Sequence, residues 1–212
     1  AMGFDEVLRK NSIDTIIHTA TEYGRNTQLS SVLLGNVIFP VKLMEAGLRN
    51  GLKKFINTDT FLCKDSYNGS YLKDYADSKT MLRAYLKKFS SQIQVDNLIL
   101  EHPYGEYDAE GKFVPMIIKS LLENRETLEL TSGEQKRDFV YVADVVEAFI
   151  TVLEKGNDTV NGFSEYEVGT GSSIRVREFV ERVAKVIGSS TQLHFGALQN
   201  REGEPQNSRA DT

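Results

Sequence analysis

Several things are scarce in this 212-residue chain. Tryptophan is absent, and cysteine appears once, as Cys63. One thiol cannot close an intrachain disulfide, which excludes a disulfide scaffold and fits a reducing cytoplasm. His18, His102 and His194 are the only histidines and have no ligand spacing, so a metal centre has no support. No basic block interrupts the net charge of −5, which argues against nucleic acid as a partner. No apolar run approaches the roughly 20 residues that a membrane span needs. No repeat, low-complexity tract or leader pattern is present. Ala1-Met2-Gly3 has the look of a cloning remnant and is left out of the fold reading.

What is present is an ordinary globular composition, 40% apolar and 26% charged, enough to build a core. Elements alternate. Asp14 to His18 reads as a short strand. Leu29 to Arg49 reads as a long amphipathic helix stopped by Asn50-Gly51. Lys54 to Thr58 reads as a strand, Tyr75 to Ser90 as a helix and Val95 to Leu100 as a strand. Such alternation predicts a parallel sheet covered on both faces, with right-handed crossovers. After Leu100 the rhythm loosens. A helix is expected over Phe113 to Asn124, strands over Leu128 to Leu130 and Phe139 to Val142, and a helix over Ala143 to Lys155. A strand over Glu165 to Val168, a helix over Ile174 to Ile187 and a strand over Gln192 to Phe195 complete a smaller mixed region. The tail from Gln199 is polar.

The chemistry concentrates in two places. Phe55-Ile-Asn-Thr58-Asp59-Thr60 is a buried strand ending in hydroxyls. Seventeen residues after Thr58 comes Tyr75-Ala-Asp-Ser-Lys79. Tyr75 and Lys79 are four apart, so on a helix they share a face. A phenol with a pKa of about 10 is a poor base at neutral pH. A lysine cation within a few ångströms favours the phenolate. With a strand hydroxyl on the same oxygen, the set suits proton exchange with an alcohol or carbonyl. Taken alone, the Tyr-x-x-x-Lys spacing describes many solvated pairs; the preceding strand carries the catalytic reading.

Gly169-Thr-Gly171 follows a strand and opens a helix. A dinucleotide fingerprint needs a third glycine at position 174, which is Ile, so the stretch reads as a strand–helix turn. Arg137-Asp138 entering an apolar strand is either a sheet-edge ion pair or an arginine placed for a diphosphate. Arg201-Glu-Gly-Glu204 is a solvated loop or a second phosphate clamp. His102 sits just past a strand end, where open α/β sheets bind ligands. Asn36 is a poor helix former in mid-helix, either exposed or bonding a neighbouring backbone.

Together these pieces resemble the extended short-chain dehydrogenase/reductase family, the NAD-dependent nucleotide-sugar epimerases, dehydratases and reductases. His18-Thr19-Ala20, Asn36-Val-Ile-Phe-Pro, Thr58-Asp59-Thr60, Tyr75-x-x-x-Lys79, Lys112-Phe-Val-Pro, Arg137-Asp-Phe-Val-Tyr-Val, Val168-Gly-Thr-Gly and Arg201-x-Gly-Glu204 stand in the family's order. The resemblance implies a Rossmann-like doubly wound parallel sheet, the remainder of a dinucleotide-binding domain over 4–101. It implies a smaller mixed α/β substrate-binding region over 102–212, interleaved with the last Rossmann elements. It implies Thr58, Tyr75 and Lys79 as catalytic residues, and NAD or NADP as cofactor near Thr19, Ala20, Asn36, Tyr75, Lys79 and His102. Lys79 is expected to hold the nicotinamide ribose and lower the Tyr75 pKa. A nucleotide-sugar substrate is expected to meet Thr58, Asp59, Thr60, His102, Leu128, Leu130, Arg137 and Arg201. A cytoplasmic homodimer through helices 29–49 and 75–90 is implied as well.

Departures from the family pattern narrow the expectation. The 4,6-dehydratases carry Asp-Glu after the catalytic Thr; Thr60 stands where that Glu would be, which argues against dehydration. Leu100-Glu101-His102-x-Tyr104-Gly105 is similar to the CDP-abequose synthase group of 4-keto sugar reductases. The expected activity is therefore a 4-reductase or 4-epimerase. The alternatives are a catalytically silent member of the fold and a 4,6-dehydratase. No stretch matches the Gly-rich opening unit of the family or its C-terminal segment. The sequence is therefore expected to be a fragment that binds NAD(P) poorly by itself.

Overall fold

The computed structural model describes residues 3–64, 71–155 and 161–212. In chain order the elements are α1 (Phe4–Lys10), β1 (Thr15–His18), α2 (Leu29–Arg49), β2 (Lys54–Thr60) and α3 (Lys73–Phe89). Next come β3 (Gln94–Leu100), β4 (His102–Tyr104), α4 (Phe113–Leu122), β5 (Thr127–Leu130), β6 (Lys136–Arg137) and β7 (Phe139–Tyr141). The last are α5 (Val142–Glu154), β8 (Gly162–Val168), β9 (Ile174–Arg175), α6 (Val176–Ile187) and β10 (Gln192–Phe195). The alternation expected from the sequence is present. Short pieces were not expected: α1, β4, and the β6 and β9 pair, which shortens the helix expected from Ile174 so that it starts at Val176.

The chain divides into two compact units. The first holds residues 1–68, 72–100 and 147–167. Its sheet runs β1-β2-β3-β8, with β1, β2 and β3 parallel. β2 and β3 are buried almost throughout, as a parallel sheet covered on both faces requires. Met44 of α2, Phe55 of β2, Leu82 and Leu86 of α3 and Val95 of β3 form its core and are essentially sealed from solvent. Gly47 lets the connection from α2 to β2 fold back tightly on the end of the helix, since a Cβ there would lie 2.6 Å from Leu52 Cδ2. Lys54, buried at the start of β2, donates to the Val152 and Lys155 carbonyls at 2.5 and 3.1 Å. A cation on the last carbonyls of α5 satisfies groups that the helix leaves open.

The sequence showed no apolar run of membrane-spanning length, and here the structure corrects the expectation. The helical run of α2 reaches 21 residues with a mean hydropathy of 1.4. Its face bearing Val32, Asn36, Val37, Pro40 and Met44 is buried in the first unit, as befits a core helix. The middle of α2 widens into a π-turn over Leu34–Ile38 with Asn36 at its centre. Such turns often mark functional positions.

The second unit holds residues 69–71, 101–146 and 168–212. Strands pair as β5 with β10, β4 with β7, and β6 with β9, the last antiparallel. Ile117 and Leu121 of α4, Leu128 and Leu130 of β5, and Val176 and Val180 of α6 make its core. Asp138 is fully buried, and its carboxylate accepts from Thr170 N, Thr170 Oγ1, Gly171 N and Ala210 N. This explains Gly169-Thr-Gly171 as a carboxylate-binding turn: a Cβ on Gly169 would fall 2.5 Å from Asp138 Oδ2.

Candidate active site

Tyr75, Lys79 and Arg83 lie four residues apart along α3, and all three face the sheet. Tyr75 retains 7% of its surface and Lys79 retains 2%. Lys79 Nζ donates to the Thr58 carbonyl at 2.9 Å and lies 5.9 Å from the Tyr75 ring centre. The helix thus places its ammonium between the strand and the phenol. Thr58 Oγ1 is buried and has no hydrogen-bond partner among the described residues. An unpaired buried hydroxyl costs free energy unless a ligand completes it.

Lys79 was expected to lower the Tyr75 pKa. In this structure burial, reinforced by the neighbouring Tyr23, pushes the phenol up instead, and a hydrogen bond with the Thr60 hydroxyl only partly offsets this. Burial also lowers the Lys79 pKa, against the pull of Asp59. At neutral pH Tyr75 is a protonated acid.

Asp59 is nearly sealed at 2% exposure. Its Oδ2 meets Arg83 Nη2 at 2.7 Å and accepts from Asn97 Nδ2 at 2.9 Å, while Oδ1 accepts from Thr60 N at 2.8 Å. The pair belongs to a polar ladder across the sheet. His18 Nδ1 bonds Asn57 Oδ1 at 3.0 Å, Asn57 Nδ2 donates to Asn97 Oδ1 at 2.8 Å, and Asn97 Nδ2 also reaches Glu165 Oε1 at 3.0 Å. Since Asn57 Oδ1 accepts, His18 Nδ1 carries the proton, and burial lowers the pKa of the ring. The ladder holds the end of β2, and with it Thr58 and Thr60.

Thr19 and Ala20 are exposed just past the C-terminal end of β1. Asn36 is completely buried, and its amide is occupied by the protein: Oδ1 accepts from Glu22 N at 2.7 Å, and Nδ2 donates to Glu22 O at 2.8 Å and Ser78 Oγ at 2.9 Å. It ties the loop after β1 to α3. These strand ends, the orphaned Thr58 hydroxyl and the phenol–ammonium pair fit the nicotinamide half of a dinucleotide, whose ribose hydroxyls need such donors.

The remaining expected site residues lie in the second unit. Arg137 is buried, donating to Glu204 Oε1 at 2.8 Å and to the Pro205 carbonyl at 2.6 Å. Arg201 is exposed and donates to Tyr71 Oη at 3.1 Å. Leu128 and Leu130 point their side chains into the core. His102 is on β4 with its ring edge-on to Phe139 at 6.1 Å. Burial and the Arg137 charge push its pKa down to about 3, although its side chain keeps 24% of its surface.

The sequence reading missed Tyr23, Arg83 and Asn97. Arg83 had a signal, being four residues beyond Lys79 on the same face. Asn97 needed the β2–β3 register, which sets it beside Asn57. Tyr23 sits in a polar loop with no periodicity to single it out.

Comparison with known proteins places the chain. The family model described as "NAD dependent epimerase/dehydratase family" matches residues 3–169. CDP-abequose synthase of Salmonella muenchen is 37% identical over 206 residues, covering 95% of this chain and 69% of that protein. The CDP-abequose synthase of Salmonella typhimurium is 35% identical, covering 94% of this chain and 68% of that protein. The dTDP-4-dehydro-6-deoxyglucose reductase of Escherichia coli is 25% identical, covering 91% and 67%. Among solved structures, MoeE5 in complex with UDP-glucuronic acid and NAD superposes with a TM-score of 0.84 at 24% identity, over 100% of this chain and 73% of that one. The UDP-glucuronic acid 4-epimerase of Bacillus cereus superposes at 0.82 and 21% identity, over 99% and 69%. These likenesses show the Rossmann-like α/β fold, and with the family match and the relatives above 30% identity they show that the chain belongs to the NAD-dependent epimerase/dehydratase family.

Proposed function

We propose that this chain carries the proton-transfer apparatus of a nucleotide-sugar 4-reductase or 4-epimerase, with Thr58, Tyr75 and Lys79 as its catalytic residues. The carrying observation is the Thr58 hydroxyl, buried and without a hydrogen-bond partner among the described residues, on the strand that anchors Lys79 and beside the helix that presents Tyr75. Thr58 donates to the substrate oxygen at the reacting carbon. Tyr75 gives that oxygen its proton in reduction and takes it back in the reverse direction. Lys79 stabilises the phenolate that forms and, with Tyr75, would hold the ribose of NAD(P), with Thr19, Ala20 and the Asn36-tied loop alongside. When bound there, the nicotinamide supplies or accepts the hydride. A phenol kept protonated by burial suits the reductive direction, in which the forming alkoxide needs an acid.

The two CDP-abequose synthases at 37% and 35% identity support a CDP-linked 4-keto-6-deoxyhexose as substrate. We assign residues 4–101 chiefly to cofactor binding and 102–212 chiefly to the nucleotide sugar. Asp59 and Thr60 shape the sugar end of β2. His102 and the exposed Arg201 serve the nucleoside diphosphate, while Arg137 holds Glu204 and the Pro205 carbonyl in place and Leu128 and Leu130 pack the core beneath that region. The fold, the single free thiol Cys63 and the family fit a cytoplasmic homodimer. Leu34 and Ile38 on α2 and Met81 and Tyr85 on α3 are 59%, 42%, 45% and 39% exposed, an apolar stripe suited to pairing helices 29–49 and 75–90 between subunits.

Tyr75→Phe tests the reading. In the intact protein it lowers kcat about 10²-fold or more and spares nucleotide-sugar binding measured by calorimetry. Retained turnover refutes the assignment. Calorimetry with CDP, UDP, GDP and dTDP tests the base; equal affinity for all four overturns the CDP reading.

A further inference from the structure

Tyr23 stands on the loop after β1, with its ring centre 5.3 Å from that of Tyr75 and the two planes tilted by 39°. Tyr23 is 40% exposed while Tyr75 is buried. The residues on either side of Tyr23 are pinned. Both backbone polar groups of Glu22 bond the buried Asn36 amide. Gly24 holds φ at 72°, with its N–H on Glu22 Oε1 at 3.0 Å. The same Asn36 donates to Ser78 Oγ, which in turn donates to the Tyr75 carbonyl at 2.7 Å. One amide therefore fastens the loop that presents Tyr23 and the helical turn that presents Tyr75. Ordering a loop costs conformational entropy, and a ring left 40% exposed returns little core burial for it. A ring set beside an acid/base residue gives that order a use.

We propose that Tyr23 is a further residue of the active site: its ring covers Tyr75 and packs against the sugar whose oxygen Tyr75 protonates, with Asn36 as its positioning residue. The inference rests on Tyr75 being the acid/base. A hexose bonded at one oxygen to Tyr75 lies within reach of a ring 5.3 Å away, and its C–H faces suit an aromatic wall. The groups facing Tyr75 are Tyr23, Thr60, Asp59, Cys63 and the Lys79 ammonium. Burial, the neighbouring Tyr23 phenol, Asp59 and Cys63 favour the neutral form, while the Thr60 hydrogen bond favours the phenolate.

The test uses the intact protein with a CDP-linked 4-keto-6-deoxyhexose and NAD(P)H. Tyr23→Ala is expected to raise KM for the sugar nucleotide about tenfold and lower kcat, with affinity for CDP alone unchanged. The alkaline limb of its pH profile should move to lower pH, because solvent reaches Tyr75. Tyr23→Leu, which keeps apolar bulk, should fold even where the Ala variant does not, and should recover part of the loss. A second readout needs no turnover. Tyrosinate absorbance should show one tyrosine titrating earlier in Tyr23→Ala than in the unaltered protein, and that tyrosine should vanish in Tyr23→Ala/Tyr75→Phe. Unchanged KM, kcat and titration in the Tyr23 variants overturn the inference. Should Tyr75→Phe keep its turnover, the acid/base reading fails instead, and the titration still decides whether Tyr23 covers Tyr75.

Discussion

Lys79 reaches across from α3 and bonds the main-chain oxygen of Thr58 at 2.9 Å. The helix that carries the phenol is thereby locked to the strand that carries the hydroxyl, and the ammonium held in the lock is 2% exposed. Lys79→Met should lower kcat about 10²-fold by removing the charge that stabilises a Tyr75 phenolate. The Thr58 carbonyl would lose a partner, so the melting temperature should fall as well. Steady-state kinetics with a thermal melt separates the two effects. Wild-type kcat in Lys79→Met would show that the lock is structural only.

Asp59 and Arg83 form an ion pair whose side chains are 1% and 15% exposed. Truncating one partner leaves an uncompensated buried charge, a loss of about 3–5 kcal/mol. Arg83→Leu should therefore destabilise in urea unfolding more than Asp59→Leu/Arg83→Leu does. Additive losses in that double-mutant cycle would contradict coupling through the pair.

Two histidines make stability sensitive to acid. His18 is held below its ordinary pKa of 6.5 by burial, and His102 is pushed down to about 3 by burial and Arg137. Between the folded and unfolded pKa values the unfolded chain binds more protons, so stability rises with pH there. The stability is fully present above about 6.5 and falls away as the pH drops toward the folded values. His102→Gln should reduce the slope of unfolding free energy against pH by about one proton between roughly pH 6.5 and 4. An unchanged slope would place its pKa near normal.

Gly169→Ala should destabilise by about 1–3 kcal/mol. The new methyl would sit 2.5 Å from Asp138 Oδ2 and 2.8 Å from Ala210 Cβ, in a turn whose Thr170 and Gly171 amides both donate to that carboxylate. Chemical denaturation measures it, and a neutral outcome would mean that the turn relaxes freely.

Leu34→Glu and Met81→Glu place charges on the exposed apolar stripe of α2 and α3. Light scattering should show a homodimer becoming a monomer without loss of secondary structure. A mass unchanged by both substitutions would locate self-association elsewhere.

The residues themselves determined the alternation of strands and helices, because apolar spacing at periods of two and 3.6 is a local property. Tyr75 and Lys79 on one helical face were legible for the same reason, and so was the hydroxyl-bearing strand end. Tertiary structure decided the rest. Whether Asn36 faced solvent or backbone depended on a π-turn and a loop folding onto it. The ladder His18–Asn57–Asn97 exists only in one register, which sets three residues from distant stretches side by side. The direction of the Tyr75 pKa depended on how deeply the phenol is buried and on Tyr23 lying over it, and a charge spacing along the chain carries no information about solvent access. Arg137, which the sequence left as either an ion-pair partner or a diphosphate ligand, meets Glu204 because the polar tail returns to it. Local pattern sets which groups share a face; desolvation and long-range pairing set what those groups can do.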